Sequence, residues 1–338
     1  MTKIRRAALS LSYNNVDITA DLADYLVSFS YEDNSDNKAD DLQVVMEDKK
    51  GLWRGSWYPN KGARLVASII TQDWEFAGTT QTLPLGSFEI DEINYAGPPD
   101  VVTLKAVSIP VHSSLVDEDK IRAWEDVALS AVAGDIANEA QLELMFDSGF
   151  DPEYDRIEQS EEPDLPFLQR LCDKAGLSLK VSSDKIIIFD SAKYEEMPSV
   201  FVITKGRSDI IAYEFTSATR NIYSAARIEY QPSLWEDPIE YTYTPPNAPE
   251  TGKTLFINER ASSLAEAEKI ARLKLRKINA NENRASITLL GNQLLVAGVN
   301  VTLSGYGNFD GKYFIESAVH SGPNYETKID IRKAMGAY

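Results

Sequence analysis

The side chains in this sequence with the most evident chemical capacity are carboxylates. Between Asp117 and Asp164 stand 16 Asp and Glu residues, against only Lys120, Arg122 and Arg156. Two carboxylates at a suitable separation can cleave a glycosidic bond, one as general acid and one as base or nucleophile. The alternative is a solvated acidic face, the usual use of such a run. The segment DSGFDPEYD, residues 147–155, offers oxygen ligands for Ca²⁺. It lacks the EF-hand register, including the glycine at the sixth position.

Other chemistry is sparse. His112 and His320 are the only histidines, and neither stands in a Cys/His motif. Cys172, the one cysteine, falls four residues after Leu168 in FLQRLCDKAG, so the two share a helix face. A buried small hydrophobe is the expected role, since a reactive thiol needs a nearby base. There is no GxGxxG, HExxH, CxxC or GxSxG. NAPETGKT ends in Gly252-Lys253-Thr254 but has Asn247 where a P-loop has its first glycine, and no helix is expected at the lysine. GYGNFDG, Gly305 to Gly311, lies between strand patterns and reads as a hairpin loop. No catalytic, cofactor-binding or metal-binding residue is assigned, and no cofactor is expected.

Composition narrows the partners. The 338 residues are 43% hydrophobic and 25% charged, as in ordinary globular proteins. That length suggests two or three domains. The net charge of −18 repels nucleic acid and anionic lipid, so specific nucleic-acid binding is disfavoured. Ser10, Ser12, Tyr13 and Asn14 interrupt the N-terminal apolar run before it could form a signal-peptide core. No window approaches a membrane span. Synthesis in the cytoplasm, with no membrane crossing by a signal sequence, is the expectation.

The elements that must position these groups read as β, then α/β, then β. ALSLSYNNVDI, YLVSFSYED, DLQVVMED, ARLVASIITQDW and VVTLKAVSIP alternate, with Asn14-Asn15 as a tight turn. From Ile121 the positions Ile121, Trp124, Val127, Ala128, Ala131, Val132 and Ile136 form a helical stripe. DLPFLQRLCDKAG predicts a second helix, with Asp164 as cap and Gly176 as terminator, followed by a hairpin in LSLKVSSDKIIIFD. β patterning returns at Phe201. It is interrupted by a helix over about 262–279, where Ser263 and Glu266 have capping-box spacing and basic residues crowd the far end. The expected fold class is α+β, mostly β: two β-barrel domains, residues 1–110 and 201–338, with a small α/β domain, 111–200, inserted between them.

Those two barrels are expected to be related. GSFEIDEINYAGPP, Gly86 to Pro99, and GKYFIESAVHSGPN, Gly311 to Asn324, align without a gap. They share the opening glycine, an aromatic (Phe88, Tyr313), an isoleucine (Ile90, Ile315), an acid (Asp91, Glu316) and a closing Gly-Pro (Gly97-Pro98, Gly322-Pro323). Gly311 stands 225 residues after Gly86. That is far longer than a solenoid period, and suits two copies of a domain with an insertion.

Several segments, in order, also resemble a known family: DDLQVVMEDKKGLW, WYPNKG, GSFEIDEINYAGPPD, DLPFLQRLCDKAGLSLKV, AEAEKIARLKLRKI and LLVAGVNVTLSGYGNFDGKYFIESAVHS. The chain resembles the baseplate hub proteins of contractile phage tails, the late-control protein D group, and more distantly the hub part of type VI secretion spike proteins. The resemblance implies a structural protein with a tube-like domain duplicated in one chain. Three chains would then form a pseudo-sixfold ring between the hexameric tail tube and the trimeric spike. It implies a homotrimer with tail tube, tail spike and other baseplate proteins as partners, no membrane, and DNA at most passing through the channel. It implies a place in the virion or a tail-like particle. The alternatives are a carbohydrate-cleaving tail enzyme using paired acids, and a cell-surface-binding protein.

Overall fold

The computed structural model describes residues 5–109, 115–182, 184–231, 238–250 and 252–336. His112 lies outside them. The first run is β1 (Arg6–Tyr13), β2 (Val16–Asp17), α1 (Thr19–Leu22), β3 (Leu26–Asn34), β4 (Asp41–Glu47), β5 (Arg64–Gln72), β6 (Thr80–Ala96) and β7 (Val101–Val107). Their alternation is that of one-sided sheet. Leu42, Val44 and Met46 are buried while Asp41 and Gln43 face out, and Leu65, Ala67 and Ile69 repeat the pattern. Asn14 and Asn15 both take positive φ, 46° and 68°, in the tight turn joining β1 to β2.

The middle run is β8 (Lys120–Ala128), α2 (Leu129–Glu139), β9 (Glu143–Asp147), β10 (Glu153–Glu162), α3 (Asp164–Ala175), β11 (Ser178–Val181), β12 (Lys185–Phe189) and α4 (Ser191–Glu196). The last is β13 (Ser199–Thr204), β14 (Ile210–Ser217), β15 (Ala225–Tyr230), β16 (Ile239–Tyr243), β17 (Thr254–Ile257), α5 (Leu264–Asn279), β18 (Asn283–Leu290), β19 (Asn300–Ser304), β20 (Gly311–Gly322) and β21 (Glu326–Lys333). The fold is mostly β, and thirteen strands form one sheet. β11, β12 and β9 form a small sheet, β16, β15 and β17 another, and β8 pairs with β10.

Strand pairing repeats between the two ends of the chain. The order β3-β4-β7-β6-β5-β1 is matched by β14-β18-β21-β20-β19-β13. The match holds row by row. Ile90, Ala106, Leu42 and Tyr31 are successive cross-strand partners, as are Ile315, Ile331, Ala285 and Phe215. Even the irregularity coincides, since the register slips between Ile90 and Glu92 in β6 and between Ile315 and Ser317 in β20. One pairing differs in sense: β1 runs antiparallel to β5, whereas β13 runs parallel to β19.

No closed barrel is formed among the described residues, which corrects the expectation of two. The outer edge of β3 is taken instead by β20, so both strand sets run into one open sheet. A strand edge has one row of backbone groups to give, and here it is given to the other half of the chain.

Two local expectations are also corrected. Residues 121–128 are strand, not helix; α2 begins only at Leu129. The helical stripe misled because β8 half-buries Lys120 and Arg122 alongside Trp124, Val127 and Ala128, while Ile121 is 78% exposed. Asp164 does not cap α3 with its side chain, because its carboxylate is buried against β8.

The middle unit has its own core. Phe167, Leu168, Leu171 and Cys172 of α3 pack with Val132 and Ile136 of α2, and with Ala267, Ile270 and Ala271 of α5. Ser263 caps α5 by accepting from the Glu266 N–H at 3.2 Å, and the Glu266 carboxylate accepts in turn from Ser262. α3 ends at Gly176, with φ 76°, where a Cβ would stand 2.6 Å from Cβ of Leu273 in α5. Backbone conformation and close approach demand glycine together. Gly176→Ala should therefore destabilise the protein by roughly 2–4 kcal/mol, from left-handed strain plus overpacking. Urea unfolding should show a lower midpoint at unchanged slope.

Candidate assembly site

The residues singled out by the sequence repeat fall at matching places. Gly86, φ 103°, lies opposite Ala67, and Gly311, φ 135°, lies opposite Leu303, the corresponding position of β19. Gly97-Pro98 and Gly322-Pro323 both have cis peptide bonds and stand at the turns leading to β7 and β21. The two acids sit at the register slip in each copy, but in different surroundings. Asp91 is exposed, whereas Glu316 lies 2.5 Å from Arg284 and 3.3 Å from Arg332.

Gly322 also belongs to the seam between the two halves. Ser317 to Gly322 of β20 pair antiparallel with Asn34 to Phe29 of β3. A Cβ on Gly322 would stand 2.3 Å from the Phe29 ring, so the aromatic ring is laid directly over bare backbone. One step along, His320 faces Tyr31 and stacks on it with ring centroids 6.2 Å apart. The Tyr325 ring centroid stands 6.0 Å from that of the imidazole. The imidazole is fully buried. Its Nε2 is 2.9 Å from the Leu295 carbonyl and so carries the proton; Nδ1 accepts from the Tyr325 hydroxyl at 3.1 Å.

Two groups of buried charge tie the inserted unit to its neighbours, one at this seam and one at α5 and β21. Lys180, from β11, donates to Asp33 at 2.8 Å and to the Asn34 carbonyl at 2.6 Å, with Asp40 at 3.3 Å. The other oxygen of Asp33 accepts from the Ala297 N–H at 2.8 Å, and Asp40 accepts from the Asn34 N–H at 2.8 Å. Burial raises the Asp40 carboxyl to about 6 despite the pull of Lys180. Glu195, from α4, accepts from Arg276 of α5 at 2.6 Å, from Arg332 of β21 at 2.5 Å and from the Met335 N–H at 2.8 Å. Neither group was found by sequence reasoning, since the partners of Glu195 lie 81 and 137 residues away. The available signal was a charged residue inside an apolar strand pattern, as Arg332 is in KIDIRK.

The acids between Asp117 and Asp164 are largely committed to partners. Asp164 bonds Lys120 at 2.7 Å, Gln159 at 2.9 Å and Arg122. Glu139 meets the same two cations at 2.7 and 2.6 Å, and their hydrogen bonds hold its carboxyl below the usual range. Asp147 is likewise lowered, by Lys193 and the Tyr194 hydroxyl. A general acid requires the opposite shift. Cys172 is buried, and its thiol is pushed up to about 12 by that burial, which makes it inert. NAPETGKT runs into strand β17, not a helix, and GYGNFDG is the turn of the β19–β20 hairpin. Among the described residues, no group of three or more His, Cys, Asp or Glu is placed to hold a metal ion.

The family model described as phage tail baseplate hub (GPD) matches residues 110–325. The chain belongs to this family. A "Probable baseplate hub protein" of Escherichia phage 186 is 28% identical over 226 residues, which is 66% of this chain and 56% of that protein. The chain spans about half the length of the curated relatives it matches. Among solved structures, the 43 kDa tail protein of prophage MuSo2 from Shewanella oneidensis superposes with a TM-score of 0.70. It is 13% identical, with 96% of this chain and 98% of that one covered. A component of the E. coli type VI secretion system gives 0.58 at 13% identity, over 93% and 75% of the two chains. At these identities, the structural likenesses establish a shared fold. Membership of the baseplate hub family suggests a non-enzymatic role.

The buried imidazole at the seam carries a measurable consequence. Desolvation lowers the His320 pKa from 6.5 to about 4. As pH falls through that window the unfolded chain takes up a proton that the folded chain refuses, so folding stability drops. Above pH 6.5 His320 has no such effect. The loss should reach about 3 kcal/mol by pH 4, at about 1.4 kcal/mol per unit. NMR should find the His320 ring neutral at pH 5; titration near 6.5 would contradict the seam geometry.

Proposed function

We propose that the chain is a structural hub of a contractile tail or tail-like particle, a homotrimer that adapts a sixfold tail tube to a threefold spike. The observation that carries this reading is the row-by-row repetition of strand pairing between residues 6–107 and 199–333. Two copies of one β module per chain give six modules in three chains. A ring of six like modules can meet a sixfold partner on one side while remaining threefold toward the other.

The units of the proposal are a first module over residues 1–110, an inserted unit over 111–200 and a second module over 201–338. The second lends β15, β17 and α5 to the core of the inserted unit. Gly86 and Gly311, in strands β6 and β20, and Gly97-Pro98 and Gly322-Pro323, at the turns that follow them, are the repeated positions of the two modules, structural and not catalytic. The partners are the tail tube protein, the spike and other baseplate proteins, and the place of action is the baseplate of the particle. Carbohydrate cleavage by paired acids draws no support from residues 117–164, where Asp164, Glu139 and Asp147 are held by cations.

Light scattering across a concentration series should give a mass approaching three times the 37.6 kDa of the chain. Negative-stain images of that species should show a six-lobed ring. A protein that keeps the single-chain mass, alone and with its spike, would refute the trimer. Hydrolysis of cell-wall glycan that disappears with one Asp or Glu substitution would refute the non-enzymatic reading.

A further inference from the structure

The two modules share one strand-edge pairing inside the chain, flanked by side-chain contacts such as Trp74 on the Gly291 carbonyl and Gln293 on the Ile69 carbonyl, and each module keeps the complementary edge unpaired among the described residues. β20 of the second module gives residues 317–322 to the edge of β3. The corresponding part of β6, residues 92–96 with Gly97 just beyond its end, has β7 on one side and no strand on the other among the described residues. The strand corresponding to β3 is β14, which ends the thirteen-stranded sheet and, among the described residues, pairs only with β18. The chain therefore carries both halves of a contact that it makes once internally.

We propose that a second copy of this chain completes this contact, the β14 edge of one copy pairing antiparallel with the β6 edge of the next. The inference rests on the trimer reading above and specifies its interface. The repeat itself fixes the register. Moving from β20 to β6 subtracts 225 residues, and moving from β3 to β14 adds 184, as Tyr31 corresponds to Phe215. The internal partners Ser317–Asn34, Val319–Glu32, His320–Tyr31 and Gly322–Phe29 then become Glu92–Ala218, Asn94–Thr216, Tyr95–Phe215 and Gly97–Tyr213 between copies.

The side chains suit that register. In the internal seam Phe29 and Tyr31 are buried at 4% and 5% exposure. On the open edges Tyr95 and Tyr213 remain 40% and 47% exposed, and Ile211 is 50% exposed. Pairing would set Tyr95 against Phe215 where His320 meets Tyr31. It would set Tyr213 over Gly97 where Phe29 covers Gly322. Each edge strand also gains partners for a row of unpaired N–H and C=O groups. The contact is heterologous, so it propagates until the rotation closes. With two modules per chain, closure after three chains gives six.

The test is disulfide trapping in the full chain. Asn94→Cys and Thr216→Cys are combined in one variant, both positions being exposed, and the native Cys172 is buried and remains silent. Oxidised protein should run on non-reducing gels as a ladder ending at three chains. A variant combining Asn94→Cys with Ala212→Cys, four residues out of register, should yield at least tenfold less. Trimeric mass without cross-linking overturns this edge assignment and leaves the trimer standing. A single-chain mass without cross-linking, alone and with the spike, overturns both. A ladder running past three chains supports the edge pairing and overturns threefold closure.

Discussion

The architecture depends on one shared strand. β20 holds β21 along one side, while its other side is divided between β19, through Gly311 to Phe314, and β3, through Ser317 to Gly322. Without the second half of that strand, the two β units would be held by side-chain contacts such as Trp74 on Gly291 and Gln293 on Ile69. With it, backbone hydrogen bonds make one sheet. Backbone pairing fixes relative orientation more tightly than side-chain contact, because a one-residue slip would turn every side chain to the wrong face. Phe29 over Gly322 and Tyr31 against His320 lock the register on the core side.

Buried charge then ties the inserted unit to that seam and to α5 and β21. Lys180 of β11 is held by Asp33 and Asp40 beside the end of β3, and Glu195 of α4 is held between Arg276 and Arg332. Such pairs add little net stability relative to apolar packing, since desolvation offsets much of their attraction. They discriminate against wrong arrangements, because a displaced partner leaves a buried charge uncompensated. The inserted unit and the two strand sets are thus held in one geometry, as suits a protein whose proposed work is to transmit shape.

Legibility from sequence followed the range of the interactions. The strands of the first 110 residues were readable because one-faced alternation is local, and the Gly176 terminator because left-handed backbone is local. Residues 121–128 were not, since Lys120 and Arg122 turn inward to meet Asp164, a partner more than forty positions away. The repeat was visible as spaced glycine, aromatic and acid, yet its structural meaning was not. Gly311 and Gly86 could mark equivalent strands in two closed barrels or in one shared sheet, and only the β20–β3 pairing separates those outcomes. The buried triad of Glu195, Arg276 and Arg332 was unreadable for the same reason. No local periodicity distinguishes a charge that will be matched by another element from one that faces water.

Duplication within one polypeptide has a physical advantage over sixfold assembly of single modules. Six identical subunits must use identical edges, so every contact in the ring changes together. Two modules in one chain free the internal seam from that constraint. Here the internal seam is buttressed by Lys180, and Glu316 at its register slip is bound by Arg284 and Arg332. The corresponding Asp91 is exposed, and Asp41 and Val107 stand where the arginines would be. On the proposed reading, the internal contact is permanent and the external one is formed last. A net charge of −18 opposes association of copies over several ångströms, an effect that salt screens. The attraction must then come from what acts at contact, namely open strand edges and the aromatic side chains of Tyr95, Tyr213 and Phe215. Charge keeps copies apart until the edges are in register, and backbone pairing with aromatic burial holds them once they are.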